Sequence, residues 1–294
     1  MRHSMRNFWL AIMKGSKLIS FMGIFYGLAV TVSSCFSSRM SNEEMNKYFA
    51  NSGVIPQRHF YEGIDRRLHY VSTGDSLRQP VLFVHGSPGS WDNFKAFLKD
   101  TFLLQQGYLL SVDRPGFGEA AKGGAEHELQ RQVAALLPIL QSQSRPVVLV
   151  GHSYGGPVIV QAAINYPQYV KSLVIVAGSV APDLEPSNWY RFPLKYPPLR
   201  WLIPSFFRSS NDELLPLEEE LNKMLPDWKK IRCPVVVIQG GKDVLVHPGN
   251  AQFVQKQLPQ VKVTTIWKEN MNHFVPWSDP DLIVEGIKRA LRLE

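Results

Sequence analysis

The main part of this sequence has almost no excess of charge of either sign. Residues 1–34 hold four basic side chains and no acidic one, whereas the other 260 residues carry 28 basic and 25 acidic side chains. The net charge of +7 therefore belongs largely to the N-terminal segment. Because no basic block or periodic basic stripe follows it, the sequence offers nothing to a phosphate backbone and predicts no nucleic-acid partner.

Cysteines and metal-ligand spacings are also scarce. Only Cys35 and Cys233 occur, and the eight histidines show no spacing such as H-E-x-x-H. Metal sites need several His, Cys, Asp or Glu ligands at suitable spacing, so we predict no metal and no cofactor. Cys233 precedes an apolar run and is expected to be a buried small side chain.

The overall composition excludes several classes of protein. With 45% hydrophobic and 19% charged residues, the 294-residue chain is not disordered, collagen-like or a coiled coil. A chain of this length can bury the core of one large α/β domain or of two modest ones.

The first 35 residues follow the pattern of an export signal. A basic stretch ends at Lys17, and an apolar run of 15 residues follows from Leu18 to Val32. That run has the length of a signal h-region and is short of the ~20 residues that a spanning helix needs. It ends in Val32-Ser33-Ser34-Cys35, which resembles the lipobox of bacterial lipoproteins, in which small residues precede a cysteine that is acylated.

This resemblance implies a signal peptide over 1–34, a lipid on Cys35 and a polar, turn-like tether over 35–56. The protein would then be membrane-anchored in a bacterial cell envelope, on the periplasmic side, and Cys233 would have no disulfide partner. The alternative is an uncleaved anchor, or an ordinary signal with a chance cysteine. Met13 is a suitable start, so residues 1–12 are expected to be an upstream mis-start.

Short apolar runs bounded by glycine and proline alternate with helical patterns through the rest of the chain. Continuous β-branched runs are typical of strands covered on both faces, as in a parallel sheet. A hairpin is expected over 60–71, and Pro138 is expected to kink or break a helix that starts near Leu129. The alternation predicts an open, doubly wound α/β sheet. The six expected strands are 80–84, 108–112, 147–150, 173–176, 235–238 and 261–266.

One stretch, at about 185–230, breaks this alternation. It combines eight aromatic residues with seven prolines, which is too aromatic for a solvated linker and too proline-rich for a strand. An insertion of this length in a compact domain is usually functional. We expect a small helical cap over the carboxyl edge of the sheet, where open α/β sheets bind ligands.

A serine stands at a sharp strand-to-helix turn in the segment GHSYGG, residues 151–156. Small residues two positions before and after Ser153 allow the chain to turn and expose the hydroxyl. Such a nucleophile needs a base that is held by an acid. Asp243 and His273 each follow a predicted strand and supply these in the order Ser, Asp, His, while Asp183 is a rival acid.

Two backbone amides are candidates for holding a tetrahedral oxyanion. The segment HGSPG, residues 85–89, follows the first long buried strand and would contribute the amide of Ser87. The second amide would come from Tyr154, directly after the nucleophile. Asp113 lies in a turn behind the site and is expected to be structural, as is His152.

Residues ~57–294 resemble the α/β-hydrolase superfamily, in the branch with esterases, meta-cleavage-product hydrolases, epoxide hydrolases and haloalkane dehalogenases. The segments HGSPG, DRPGFG, GHSYGG, GGKDVLV and NHFVPW carry this resemblance. It implies an α/β-hydrolase fold, the triad Ser153–Asp243–His273 and oxyanion amides at Ser87 and Tyr154. Dehalogenases and epoxide hydrolases have an aspartate nucleophile, so Ser153 favours acyl chemistry.

The expected activity is hydrolysis of a small carboxylic ester with an apolar or aromatic acyl group, by a membrane-tethered, cofactor-free serine hydrolase. The same residues serve C–C bond hydrolases, acyltransferases and perhydrolases, which remain alternatives. A lipid-anchored binding protein with an unused triad is the alternative outside enzymes.

Overall fold

The computed structural model describes residues 39–63, 65–186 and 189–292. Its centre is an eight-stranded sheet in the order β1-β2-β4-β3-β5-β6-β7-β8, parallel except for β1 and β2. The six strands and the hairpin expected from the apolar runs are all present, although the last strand begins two residues late. The strands are β1 Gln57–Glu62, β2 Arg67–Thr73, β3 Gln79–Val84, β4 Gly107–Asp113, β5 Val147–His152, β6 Val170–Val176, β7 Val235–Gly240 and β8 Val263–Lys268.

Helices cover both faces of this sheet, which explains the continuous apolar runs. Alternate residues of each central strand separate into two apolar clusters, one on each face. Thus Leu82 and Leu149 belong to one cluster, whereas Phe83 and Val148 belong to the other. The doubly wound α/β architecture expected from the sequence is confirmed.

The helices within the described residues alternate with the strands as expected. The helix that contains Pro138 continues through it and ends three residues later, so the missing N–H falls in the last turn and no break occurs. The helices are α1 Asn42–Phe49, α2 Thr101–Gln106, α3 Leu129–Gln141, α4 Gly155–Asn165, α5 Leu199–Leu202, α6 Ser205–Leu214, α7 Leu217–Met224, α8 Asn250–Gln257, α9 Val275–Ser278 and α10 Pro280–Arg292.

Helix α1 lies within the segment that the sequence predicted to be a polar tether. Ser41 and Glu44 form a reciprocal capping box at its start. Met45 and Phe49, one turn apart, are buried in the same apolar cluster as α2 and α10. This part of the predicted tether is therefore a packed element of the domain, because its two apolar side chains share one helical face.

Just before α1, the chain is bound to the carboxyl edge of the sheet. Glu119 lies in the turn that follows β4, and its two carboxylate oxygens accept from Arg39 at 3.0 Å and from Arg58 at 2.9 Å. Arg58 also donates to Asn42 at the start of α1. The described chain thus begins beside the edge at which β4 ends.

Between β6 and β7, helices α5–α7 and several short 3₁₀ turns form the region that the sequence predicted to be a cap. Trp228, in the turn that leads back to β7, is fully buried, but several aromatic side chains of this region are exposed, among them Trp189 and Trp201.

The predicted signal peptide and Cys35 lie outside the described residues. In the part of the chain that is described, none of the helices has the length and apolar character needed to cross a bilayer. Cys233 is partly buried against one core cluster, and burial raises the pKa of its thiol to about 12.

Candidate active site

Ser153 occupies a strained turn between β5 and α4. Its φ is +54°, in the left-handed region that residues with a Cβ rarely adopt. Its own N–H donates to the carbonyl of Val176 at 3.0 Å, which fixes the turn to the neighbouring strand. A Cβ on Gly155 would lie 2.2 Å from the carbonyl oxygen of Val84, so only glycine fits directly after the turn. The turn has the geometry of a nucleophile elbow.

Asp243 and His273 come together from the loops that follow β7 and β8. His273 Nδ1 lies 2.9 Å from Asp243 Oδ2, and the other carboxylate oxygen accepts from the amides of Leu245 at 3.0 Å and Val246 at 2.8 Å. Burial by itself raises the pKa of Asp243, but the hydrogen bond and charge of His273, with the two amides, outweigh burial and hold the pKa below its ordinary value. An ionised Asp243 therefore accepts a hydrogen bond from the Nδ1–H group of His273 and leaves Nε2 available as a base.

Asp183, the rival acid, does not lie in this arrangement. Its side chain is exposed, in the turn Pro182–Leu184 after β6. Among the described residues, no hydrogen bond or ion pair joins it to His273, whose carboxylate partner is Asp243.

His152, next to Ser153, holds the backbone of the candidate base. Its Nε2 lies 2.9 Å from the carbonyl oxygen of His273, and its ring packs edge-on against Trp277. Burial, reinforced by the nearby His273, lowers the pKa of His152 to about 3. The ring is therefore neutral near pH 7 and donates to that carbonyl, which is a positioning role.

Ser87 and Tyr154 line the same cavity as Ser153. The loop before Ser87 passes close to the serine, since a Cβ placed on Gly86 would lie 2.9 Å from the Cβ of Ser153. Within the described part of the chain, neither the Ser87 amide nor the Tyr154 amide donates to a protein acceptor. Both donors are therefore available to a ligand oxygen.

These groups meet in a cavity of about 220 Å³ under the region between β6 and β7. Ser153 and His273 both line it, although no hydrogen bond joins them in the described structure; catalytic hydrogen bonds are often loose before a substrate binds. Apolar and aromatic side chains form much of the remaining wall: Tyr190, Leu214, Leu217, Val244, Leu245 and Val246.

Polar residues that the sequence did not single out also reach this cavity. Glu185 accepts a hydrogen bond from Ser179, both line the wall, and burial raises the pKa of Glu185. Arg114 and Glu213 form a fully buried ion pair beside the loop of Ser87. DRPGFG marks Arg114 as part of a turn, but nothing local in the sequence signals a partner 99 positions away.

Asp113 has the structural role expected for it. One carboxylate oxygen accepts from the amide of Trp91 at 2.8 Å, and the other lies 2.7 Å from His69 Nδ1 and 3.0 Å from the amide of Glu119.

Over residues 39–63, 65–186 and 189–292, no group of three or more His, Cys, Asp or Glu side chains is placed to hold a metal ion.

Comparison with known proteins identifies the family. A model of the alpha/beta hydrolase family matches residues 81–285, which is more than half of the chain. Lipase 1 of Psychrobacter immobilis is 27% identical over 242 residues, covering 70% of this chain and 75% of that protein. The 2-hydroxy-6-oxo-2,4-heptadienoate hydrolase of Pseudomonas putida is 34% identical over 128 residues, covering 42% and 44%.

The fold itself is shared with solved structures. The crystal structure of a membrane phospholipase A superposes with a TM-score of 0.65 at 17% identity, covering 97% of this chain and 98% of that one. With the family model matching from β3 into α10, the chain belongs to the alpha/beta hydrolase family and is a hydrolase.

Proposed function

We propose that the protein is a serine hydrolase that cleaves carboxylic esters through an acyl-enzyme. The observation that carries this proposal is that the strained Ser153 lines the same cavity as His273, which is paired with Asp243. An Asp–His pair beside a partly buried serine at the wall of a cavity has no evident use in a passive pocket, whereas it is the arrangement that activates a hydroxyl. The similarity to Lipase 1 supports an ester as the substrate.

The proposed reaction follows from these positions. His273 Nε2 takes the proton of Ser153 as the oxygen attacks the ester carbonyl, while Asp243 stabilises the resulting imidazolium. The amides of Ser87 and Tyr154 hold the negative oxygen of the tetrahedral intermediate. His273 then protonates the leaving alcohol, and a water molecule that it activates releases the acid and restores Ser153.

The cavity supports a short or medium acyl group. Its volume of about 220 Å³ is below the ~300–1,000 Å³ of pockets for drug-sized ligands, and its apolar wall favours a hydrocarbon or aromatic group. We therefore expect p-nitrophenyl butyrate to be hydrolysed with a higher kcat/KM than p-nitrophenyl palmitate. A rate that rises steadily to the palmitate ester would contradict this size estimate.

Labelling with a fluorophosphonate tests the nucleophile directly. We expect one adduct on the whole chain, located by mass spectrometry on Ser153, and no adduct in Ser153→Ala. Ser179→Ala is the matched control, because Ser179 lines the same cavity and should be dispensable for labelling. A folded wild-type protein that takes no label and hydrolyses no ester would instead be a binding protein with an unused triad.

A C–C bond hydrolase is the second candidate, favoured by the similarity to the heptadienoate hydrolase. Its triad would be the same, so the substrate decides between them. Labelling of Ser153 with no ester turnover would favour C–C cleavage, or transfer to an acceptor other than water as in acyltransferases and perhydrolases.

We further propose that Cys35 carries a lipid that anchors the protein in a bacterial cell envelope, facing the periplasm. The 15-residue apolar run that ends in Val-Ser-Ser-Cys supports this. Cells expressing the whole chain and fed an alkynyl fatty acid should incorporate it into wild-type protein and into Cys233→Ala, but not into Cys35→Ala. Equal labelling of wild type and Cys35→Ala would contradict acylation at Cys35.

A further inference from the structure

A fully buried guanidinium lies directly behind the proposed oxyanion loop. Arg114 follows the end of β4, and its two terminal nitrogens donate to Glu213 at 2.7 and 2.9 Å. Neither side chain of this pair is exposed to solvent. Such a bidentate pair fixes the orientation of the guanidinium as well as its position.

The remaining donors of Arg114 act on the backbone beside the nucleophile. Its Nε donates to the carbonyl of His85 and its Nη2 to the carbonyl of Gly86, each at 2.9 Å. The carbonyl of Gly86 belongs to the same peptide group as the N–H of Ser87, and that peptide is not among the cis bonds. In a planar trans peptide the C=O and N–H point in opposite directions. The same oxygen lies 2.7 Å from Nδ1 of the buried His85 ring. Because Arg114 holds both this oxygen and the carbonyl of His85, its fixed guanidinium helps to set the direction of the Ser87 N–H, away from Arg114.

Arg114 also touches the second proposed oxyanion residue. Its guanidinium carbon lies 4.6 Å from the centre of the Tyr154 ring, within the range of a cation–π contact. One buried cation therefore contacts the loop of Ser87 on one side and the residue after the nucleophile on the other.

Glu213 connects this arrangement to helix α6, in the region between β6 and β7. Its carboxylate also accepts from Gln132 on α3 at 3.2 Å. One turn earlier on α6, Ser210 accepts a hydrogen bond from the hydroxyl of Ser87 at 2.8 Å. Helix α6 is thus joined to the oxyanion loop both directly and through Arg114.

We propose that Arg114 and Glu213 are a positioning pair that orients the Ser87 amide toward the oxyanion. Because Glu213 lies on α6, the orientation of this amide then depends on the position of α6. This inference rests on the proposed function, since it assigns a role within the same reaction. Donation from a cation to the Gly86 carbonyl also polarises the peptide and strengthens its N–H as a donor.

The double variant Arg114→Met with Glu213→Leu tests this role. Removing one partner alone would leave a buried charge without its ion-pair partner and would destabilise the fold. Replacing both partners with apolar residues of similar size is often tolerated. We expect a folded protein with KM for p-nitrophenyl butyrate within about threefold of wild type. Its kcat should fall by about 10- to 100-fold, which is less than the ~10²–10³-fold loss on removing an oxyanion donor outright, because the Ser87 amide stays and loses only its alignment.

An ion pair that joins α5 to α6 provides the matched control. Arg200 and Asp212 make a bidentate pair at 2.7 and 2.8 Å, but neither reaches the oxyanion loop. The double variant Arg200→Met with Asp212→Leu should keep kcat within about twofold of wild type, as expected for a partly exposed pair. Equal losses in both double variants would mean that general disturbance of α6, not positioning, lowers the rate, and would overturn the proposal.

A conservative single variant keeps the test decisive if the apolar pair does not fold. Arg114→Lys retains the charge opposite Glu213, but one ammonium group cannot reproduce the planar fork that serves the carboxylate and two carbonyls. We expect kcat to fall by about 10-fold with KM little changed. Wild-type kcat in a folded Arg114→Lys, or in the folded apolar pair, would show that the ion pair only balances charge and would overturn the proposal.

Amide hydrogen exchange separates failure of this inference from failure of the proposed function. If Ser153 is the nucleophile, the wild-type protein is labelled by the fluorophosphonate. A wild-type protein that is not labelled contradicts the proposed function, whatever the activities of the variants. Independently of catalysis, peptides covering α6, whose amides are hydrogen-bonded and which carries Glu213, should exchange faster in Arg114→Lys than in wild type, while peptides of β5 remain protected. Unchanged exchange in α6 would overturn its coupling to the oxyanion loop through this pair.

Discussion

Asp243→Asn is expected to lower kcat for p-nitrophenyl butyrate by about 10⁴-fold, with KM little changed. Asp243 now accepts from His273 Nδ1 at 2.9 Å and from two backbone amides through its other oxygen. Those two amides would select the side-chain oxygen of asparagine and turn its NH₂ toward His273. Nδ1 would then have to accept, which places the proton on Nε2 and removes the base from Ser153.

The matched control is Asp183→Asn, which makes the same chemical change at the rival position. Asp183 is exposed and lies after a different strand, so its variant should retain kcat within about twofold of wild type, as surface substitutions usually do. Initial rates of both purified variants, compared with Ser153→Ala as the background, provide the measurement. A large loss in Asp183→Asn with near-normal activity in Asp243→Asn would reverse the assignment of the acid.

Phe49→Ala is expected to destabilise the protein by about 3–5 kcal/mol, the usual cost of truncating a fully buried phenylalanine. Only 2% of Phe49 is exposed, and it packs in the apolar cluster that also contains Phe97 and Ile287. Its removal leaves a cavity between α1 and the sheet-side core. The free energy of unfolding in urea, monitored on the whole chain in the same detergent as wild type, gives the value.

Lys47→Ala in the same helix is the control for Phe49→Ala. Lys47 is exposed, so its truncation should change the free energy of unfolding by less than about 0.5 kcal/mol. A cost below about 1 kcal/mol for Phe49→Ala, far under the range for buried phenylalanine, would mean that α1 contributes little to the fold. The segment would then behave as the tether that its composition indicated.

The sheet was predictable because its strands are buried on both faces. Runs such as Val147–Val150 contain no polar residue, and only a covered parallel strand accommodates such a run beside glycine turns. The candidate elbow was predictable for a similar reason, since the sharp turn at Ser153 requires small neighbours that are visible in the sequence. In both cases a local steric requirement determines which residues can occupy neighbouring positions in the sequence.

Helix α1 left too weak a pattern to be recognised. Only two of its eight residues, Met45 and Phe49, are buried, so its hydrophobic face consists of a single pair of residues four positions apart. Tyr48 is partly buried against the same cluster, and the other five positions are polar, exposed and resemble a linker. The helix is stabilised by packing against the core of the domain, and the residues of that core lie outside this segment of the sequence.

The Arg114–Glu213 pair was unpredictable for a different reason. Each residue belongs to a segment with an ordinary explanation, Arg114 in a turn and Glu213 in an amphipathic helix. A charged side chain is expected at the surface unless a partner is known. Only the packing of α6 against the loop of Ser87 brings these two together, and this depends on the whole tertiary structure.

The binding of Arg39 to Glu119 has a consequence for how the enzyme would meet its substrate. Glu119 lies beside the edge where β4 ends, which is the edge from which Ser153 and Asp243 also project. Four peptide steps from Cys35 to Arg39 extend over at most about 14 Å. A lipid on Cys35 would therefore hold this edge close to the bilayer, and esters dissolved in the membrane would have a shorter path to the cavity than esters in the bulk solvent.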